Sequence, residues 1–371
     1  MILRPSRNEH FGCRENENIL VIRFKSIGDV LFTLPAVGVI RDNFPGAKIT
    51  FLTSRENAPL IQGFCDVDEV VGIDRSAYRR GNPRAIFTET FALLRLLRQK
   101  KFSLVVDFQG YGETGLIAWL SGAKKRWGSV YRPARSWAYT HPIQREEGTH
   151  PANWNLSLMR RCGLSGSPVR NEFKVPGAAL SEARRFFTSQ QMDPDKHALF
   201  LQPFTSTPKK NWPLENFLSL ANHWKRRGVQ VLFGGGPADR AKLEPASAAG
   251  FPVSAGAPLL VSAGLMKLCT LVVGGDTGLL HLAVAMNKRV VMLMHSKGHC
   301  KCHPYQHADW LLAPAPDNII ARITPGMAIE TCSRALHEVR LKTALLGAIS
   351  THFLTGTREA ISPSTEALPA P

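Results

Sequence analysis

The segment running from Leu271 through Gly274, Gly275, Asp276, Thr277, Gly278 and His281 to Ala283 has the composition of an anion site. The apolar run Leu271–Val273 predicts a buried strand. Two glycines end it, and Asp276-Thr277-Gly278 opens a segment with helical apolar spacing at Leu279, Leu282, Ala283 and Met286. The free N–H groups of a first helical turn, together with the helix dipole, favour negative charge there. Asp276 or Thr277 can cap the helix, Gly278 lets a bulky ligand approach the backbone, and His281 follows one turn in. The chemistry expected is the binding of phosphate groups; a plain capped strand–helix turn has the same outline.

Three further strand-end turns carry chemically useful side chains. Lys25-Ser26-Ile27-Gly28-Asp29 places a carboxylate on the rim where ligands of open α/β sheets sit. Asp29 there is either a general base within reach of a hydroxyl or a helix cap. The loop Phe204 to Pro213 offers Thr205, Ser206 and Thr207 with Lys209 and Lys210. These suit a pyrophosphate, with lysine as the point charge that steadies a leaving diphosphate; an exposed basic loop is the other reading. Gly234-Gly235-Gly236-Pro237-Ala238-Asp239 could admit a nucleoside, with Asp239 accepting from a ribose hydroxyl, or be a tight turn.

His295, His299, Cys300, Cys302, His303 and His307 form a cluster of potential zinc ligands. One residue between the cysteines fits no standard finger, and a loop beside the anion site with incidental His and Cys is the reading preferred to zinc. Asp66-Val67-Asp68 and Asp193-Pro194-Asp195 do not follow apolar strands and read as turns rather than metal sites. No metal or cofactor is expected.

The elements that must position these residues alternate. Strands are expected at 19–24, 48–53, 69–73 and 104–108, with helices over 29–43 and 84–99. The order restarts near Ala198: strands at 198–202, 229–233, 271–273 and 289–294, with helices over 213–227, 238–249 and from Thr277. This predicts an α/β chain of two Rossmann-like halves, each a parallel sheet covered by helices. The expected division is an extension at 1–18, an N-terminal domain at 19–172, a linker at 173–179, a C-terminal domain at 180–350, and a disordered tail at 351–371.

Composition narrows the partners. The 371 residues suffice for two domains, and no apolar stretch is long enough to span a bilayer. The polar, mixed-charge start is unlike a secretory signal, and seven irregularly spaced cysteines suit reduced thiols, so a cytoplasmic location is expected. The net charge of +17 points to a polyanionic partner. Arg75, Arg79, Arg80, Arg84, Arg95, Arg98, Lys100 and Lys101 form one basic cluster; Lys124, Lys125, Arg126, Arg132 and Arg135 form another. Both precede the linker.

Taken together, these residues resemble glycosyltransferase family 9, the ADP-heptose:lipopolysaccharide heptosyltransferases. The likeness rests on Ile19–Phe24 followed by Ser26-Ile27-Gly28-Asp29-Val30-Leu31 and Thr33-Leu34-Pro35. It continues through Asp107-Phe108-Gln109-Gly110, Lys210-Asn211-Trp212-Pro213 and the stretch Gly275 to Ala285. His150 and the helix ending at Cys162-Gly163-Leu164 resemble the family's inter-domain region. One departure is His295-Ser296-Lys297-Gly298, where many members carry Gly-Pro-Thr.

The resemblance implies a GT-B fold, two Rossmann-like domains facing a central cleft, and an inverting, metal-independent transfer. It implies Asp29 as the base and Lys210 on the donor diphosphate. Asp276, Thr277, Gly278 and His281 would line the donor pocket, joined by Thr205, Ser206 and Asp239. Gln109, Arg132 and Arg135 are expected on the acceptor side. The implied donor is a nucleotide sugar such as ADP-heptose. The implied acceptor is the anionic lipopolysaccharide inner core, reached by peripheral contact with the inner membrane. Other members move other sugars, and a nucleotide-sugar epimerase shares the fold. A dinucleotide enzyme would need Gly-x-Gly-x-x-Gly where this chain has Lys25-Ser26-Ile27-Gly28. A nucleic-acid binder would need a reading module, which the basic clusters lack, so no nucleic-acid partner is expected.

Overall fold

The computed structural model describes residues 17–75, 81–146, 148–166, 169–295, 302–314 and 319–355, with 85 and 342–355 described in backbone alone. Arg79, Arg80, His299, Cys300, Ser296–Gly298 and the tail beyond Thr355 lie outside the described residues.

The first half contains β1 (Asn18–Ile22), α1 (Ile27–Leu31), α2 (Leu34–Asn43), β2 (Lys48–Ser54), α3 (Ala58–Ile61), β3 (Glu69–Ile73) and α4 (Pro83–Lys100). It continues with β4 (Leu104–Asp107), α5 (Gly112–Leu120), β5 (Lys125–Val130), β6 (His141–Gln144) and α6 (Pro151–Arg161). The second half contains α7 (Gly177–Ser189), β7 (Ala198–Gln202), α8 (Leu214–Lys225), β8 (Gln230–Gly235), α9 (Glu244–Ala248), β9 (Val253–Ala255) and α10 (Leu259–Leu268). It ends with β10 (Leu271–Gly275), α11 (Gly278–Ala285), β11 (Val290–Leu293), β12 (Leu311–Leu312) and α12 (Pro325–Thr355).

Each half builds a six-stranded sheet. The orders are β3-β2-β1-β4-β5-β6 and β12-β11-β10-β7-β8-β9, which is one winding used twice. Every pairing of neighbouring strands is parallel, with Ile22 beside Leu52 and Asp107, and Val273 beside Leu201 and Val291. Such strands are apolar throughout because both faces are covered. Ile19 and Val21 point into one core and Leu20 and Ile22 into another. The first of these cores runs unbroken from Val21 and Val106 through Phe173 to Val272 and Val290, so the two halves share apolar packing.

The expected helix over 29–43 divides in two. Pro35 lies in the first turn of α2, where its missing N–H costs nothing, and the Thr33 hydroxyl donates to the Val30 carbonyl at 2.7 Å. Residues 238–249, expected as one helix, form two 3₁₀ turns and the short α9. Helix α12 continues into 351–355, residues expected in the tail. The linker residues 173–176 belong to no helix or strand, and α7 begins at Gly177. There the Phe173 N–H donates to the Ala285 carbonyl at 2.8 Å, and Lys174 N–H to the Gly63 carbonyl at 3.0 Å.

Candidate active site

The strand-end turns of β1, β4 and β5 meet on one rim of the first sheet, and those of β7, β8 and β10 on one rim of the second. Parallel winding demands this, because every strand leaves its sheet at the same edge.

On the first rim, Ser26 caps α1 and Asp29 is its third residue. The Asp29 Oδ2 accepts from the Ser26 backbone N–H at 2.9 Å and from its hydroxyl at 3.2 Å. Its Oδ1 meets a guanidinium nitrogen of Arg23 at 3.0 Å. Arg23 is 5% exposed and also donates to the Phe108 carbonyl at 2.5 Å. The carboxylate therefore serves as a cap in this arrangement. It has about four acceptor positions, so it keeps capacity for a further donor.

The turn around Asp29 is held from β4. Buried Gln109 accepts through Oε1 from Phe24 N–H at 3.2 Å, and Asn57 donates to the Phe24 carbonyl at 2.7 Å. Gln109, expected beside an acceptor, thus braces the loop that carries Asp29. Asp107 beneath it accepts from Gln109 and Gly110 N–H at 2.8 and 3.1 Å and from the Tyr139 hydroxyl at 2.6 Å. Burial raises the Asp107 carboxyl above its ordinary range, against these hydrogen bonds. Gly110 has φ +68° and lies where a Cβ would stand 1.7 Å from the Ser129 carbonyl oxygen, so no other residue fits. Arg135 donates to the Gly110 carbonyl at 3.0 Å and covers the Tyr111 ring; Arg132 is exposed at the end of β5.

On the second rim, Asp276 is the hub. Its Oδ2 accepts from Lys210 Nζ at 2.7 Å and its Oδ1 faces His281 Nε2 at 3.0 Å. Burial pushes this carboxyl up, but the contacts with His281 and Lys210 outweigh it and hold it at about 2. Thr277 caps α11, accepting from Leu280 N–H at 3.3 Å. His281 is 5% exposed, and its Nδ1 is buried with no hydrogen-bond partner.

Around this hub, the Thr205 methyl packs where Gly275 lacks a side chain, and Thr205 Oγ1 donates to the Thr207 carbonyl at 2.8 Å. Ser206 is exposed on the same loop. Trp212 anchors the loop through Nε1 to the Ile323 carbonyl at 2.6 Å. Asp239 lies at the end of β8, two strands from β10; it accepts from Gly236 N–H at 3.0 Å and pairs with Lys242 at 3.1 Å.

The two rims touch through glycine. A Cβ on Gly28 would stand 3.2 Å from the His281 ring, and one on Gly278 would stand 2.7 Å from Ile27. Phe32 lies edge-on to His281 at 4.7 Å and to His150 at 4.9 Å. His150 caps α6 by accepting from Ala152 N–H at 3.1 Å, which leaves Nε2–H to donate to the His303 carbonyl at 3.1 Å. Burial lowers His150 to about 4. The Tyr305 hydroxyl donates to Asn153 at 3.2 Å. Arg23, Phe32 and Tyr305 went unnoticed in the sequence because each looks like an ordinary strand, helix or loop residue.

The His303 ring meets the Pro304 carbonyl through Nδ1 at 3.1 Å, and among the described residues no group of three or more His, Cys, Asp or Glu could hold a metal ion. Asp68 accepts from Ile49 N–H and Arg41, and Asp193 from Asp195 N–H, as turn residues do.

The profile of glycosyltransferase family 9 (heptosyltransferase) matches residues 90–314. Lipopolysaccharide heptosyltransferase 3 of Escherichia coli is 23% identical over 299 residues, 76% of this chain and 84% of that protein. Lipopolysaccharide heptosyltransferase 1 of Escherichia coli O18:K1:H7 (strain RS218 / NMEC) is 24% identical over 279 residues, 73% and 83% of the two chains. In fold, the chain is similar to the glycosyl transferase family 9 protein of Veillonella parvula DSM 2008, with TM-score 0.77, 19% identity, and 87% and 97% of the two chains covered. It is also similar to E. coli heptosyltransferase WaaC solved with ADP, with TM-score 0.71, 20% identity, and 86% and 99% covered. The fold is GT-B, and the chain belongs to glycosyltransferase family 9, the heptosyltransferase family, and is a glycosyltransferase.

Proposed function

We propose that this enzyme transfers a heptose from ADP-heptose to the phosphorylated inner core of lipopolysaccharide, by a single inverting displacement without a metal ion. The observation that carries this reading is the junction of Gly28 with His281, which brings the Asp29 turn against the Asp276–His281 turn. The relatives supply the substrate class: two are named lipopolysaccharide heptosyltransferases, and one similar structure holds ADP-2-deoxy-2-fluoro heptose.

In the proposed step, an acceptor hydroxyl attacks the anomeric carbon while Asp29 takes its proton. The bond from that carbon to the diphosphate oxygen breaks, and ADP leaves with the electron pair. Lys210 and the N–H groups opening α11 receive the developing charge, with Thr205, Ser206 and Asp239 around the rest of the nucleotide. Asp276 keeps Lys210 and His281 in place. Arg132, Arg135 and the exposed lysines of the first half face the anionic acceptor, and Gln109 fixes the loop that presents the base. The enzyme would work at the cytoplasmic face of the inner membrane. Among the described residues, no helix is long and apolar enough to cross a membrane.

The test is Asp29→Ala with purified ADP-heptose and inner-core acceptor. Turnover should fall by roughly 10²–10⁴, as for loss of a positioned base, while the donor Kd measured by calorimetry is kept. Near-normal turnover would reduce Asp29 to the cap it forms with Ser26.

A further inference from the structure

The outer face of the first domain, away from the second, carries an unusual set of exposed side chains. Phe87 and Phe91 of α4 are 70% and 59% exposed and stack on each other at 6.2 Å. Trp119 at the end of α5 and Trp137 are 50% and 58% exposed and meet edge-on at 6.2 Å. Between the two helices lies a pocket of about 440 Å³, walled by Leu93, Leu94, Leu97, Leu116, Ile117 and Leu120. Its inner end is closed by Phe24, which joins Arg23 to the base-bearing turn. Soluble proteins seldom leave large aromatic side chains and a leucine-walled pocket together in water without an occupant.

The charges around this face are mostly basic. Helix α4 displays Arg84, Arg95 and Arg98, and its only acid, Glu89, is held by Arg55 at 2.6 Å. The only acid of α5, Glu113, is held by Arg75 at 2.7 Å. A second copy of the chain docked by this face would set these arginines against their own counterparts. An anionic bilayer instead meets both needs, since aromatic rings settle at its interface and arginines reach its headgroups.

We propose that the α4–α5 face seats the enzyme on an anionic lipid bilayer, with the pocket between the helices taking one acyl chain. This deepens the proposed function and rests on its lipid-borne acceptor. The seat lies on the side of the base-bearing loop, so it would hold that loop near acceptor sugars standing on the membrane.

The experiment uses the full chain and vesicles of phosphatidylglycerol with phosphatidylethanolamine, one portion of the phosphatidylglycerol carrying a diazirine on its acyl chain. Wild type should sediment with the vesicles and, on irradiation, be labelled at Leu93, Leu94 or Leu120. Phe87→Ser, Phe91→Ser and Trp119→Ser should each weaken vesicle binding roughly tenfold, the worth of a large aromatic leaving an apolar setting. Leu116→Trp, which fills the pocket mouth, should suppress the label. All four variants should keep wild-type kcat/KM on a deacylated, water-soluble inner-core acceptor. Label confined to other elements, undiminished vesicle binding by the serine variants, or a dimer closed over this face in sedimentation would overturn the proposal. Failure of wild type on the soluble acceptor, with lipid labelling intact, would instead overturn the proposed substrate and leave the seat standing.

Discussion

Replacing Gly278 by alanine tests whether the contact between the two rims matters to catalysis. Gly278 is the first residue of α11, and no positive φ obliges it to be glycine. On backbone grounds alone, alanine should stabilise the protein by about 0.4–1 kcal/mol. The added carbon, however, would stand 2.7 Å from both Cβ and Cγ2 of Ile27, and 3.4 Å from the Gly28 nitrogen. Carbon atoms rest at about 3.5–4.0 Å, so the two turns must part by nearly an ångström. A branch-point Cβ cannot swing away as a side-chain tip can. Overpacking of this kind costs about 1–3 kcal/mol, which corresponds to a loss of roughly 5- to 150-fold in the closed arrangement. The expected result is a fall in kcat/KM of that order. Gly177→Ala is the control: it is the first residue of α7, and nothing lies within 4 Å of its added carbon. Ile27→Gly in the Gly278→Ala background should restore part of the rate, since it removes both atoms at 2.7 Å. If Gly278→Ala matched Gly177→Ala in both melting temperature and kcat/KM, the rims would not need to touch for transfer.

Three further outcomes are expected. The folded His150 ring stays neutral down to about pH 4, whereas the unfolded one takes a proton near 6.5. Stability present above pH 6.5 is therefore lost as the pH falls from 6.5 toward 4, by roughly 3 kcal/mol in all; urea titrations at several pH values should show this slope flattened in His150→Asn, which keeps a cap acceptor. Lys124→Ser with Arg132→Ser should raise the acceptor KM and leave the donor Kd within about twofold, because remote charge is screened beyond a Debye length. Arg126 is spared in that variant, since its guanidinium is spent on the Ala123 and Ala138 carbonyls at 2.6 and 2.9 Å. Transfer should survive exhaustive dialysis against EDTA; loss of activity restored by magnesium or zinc would show that Lys210 and α11 do not carry the diphosphate charge alone.

The strands buried on both faces were plain in the sequence, because an unbroken apolar run such as Ile19–Ile22 leaves little choice. Strand β5 was not. Lys125 and Arg126 open it, and in the sequence they read as part of a basic surface cluster, although Trp127 and Val130 behind them are buried. Edge strand β6, His141–Gln144, has no apolar run to betray it. For the candidate site, the rule that ligands gather at strand ends pointed to Asp29, Lys210 and Asp276. It did not reveal their partners. Arg23 reaching the Phe108 carbonyl, Tyr139 reaching Asp107 and His150 reaching the His303 carbonyl span separations of 85, 32 and 153 residues. Only the winding of the sheets and the closing of one domain on the other create those bonds. Local spacing carries no trace of them.

The chain crosses between the domains as a stitch sewn to both. Phe173 is tied to the last residue of α11, Lys174 to Gly63, and the Phe173 ring fills the space that Gly63 leaves open, where a Cβ would stand 2.2 Å from it. A crossing fastened this way is a poor flexible tether but a good fulcrum. A rotation that parts Gly28 from Gly278 would strain this crossing, together with the His150–His303 and Tyr305–Asn153 bonds that also join the halves. Because the crossing grips α11 at the end opposite Thr277, α11 itself becomes the arm of the lever. At about 1.5 Å of rise per residue, its eight residues span roughly 12 Å. A tilt of a few degrees at Ala285 would therefore move Thr277 by less than an ångström, the scale on which reacting atoms must be aligned. The gearing makes the Asp276–His281 turn the fine adjustment and the crossing its setting screw. A side chain placed at Gly63 would then detune transfer by displacing the Phe173 ring and with it the pivot.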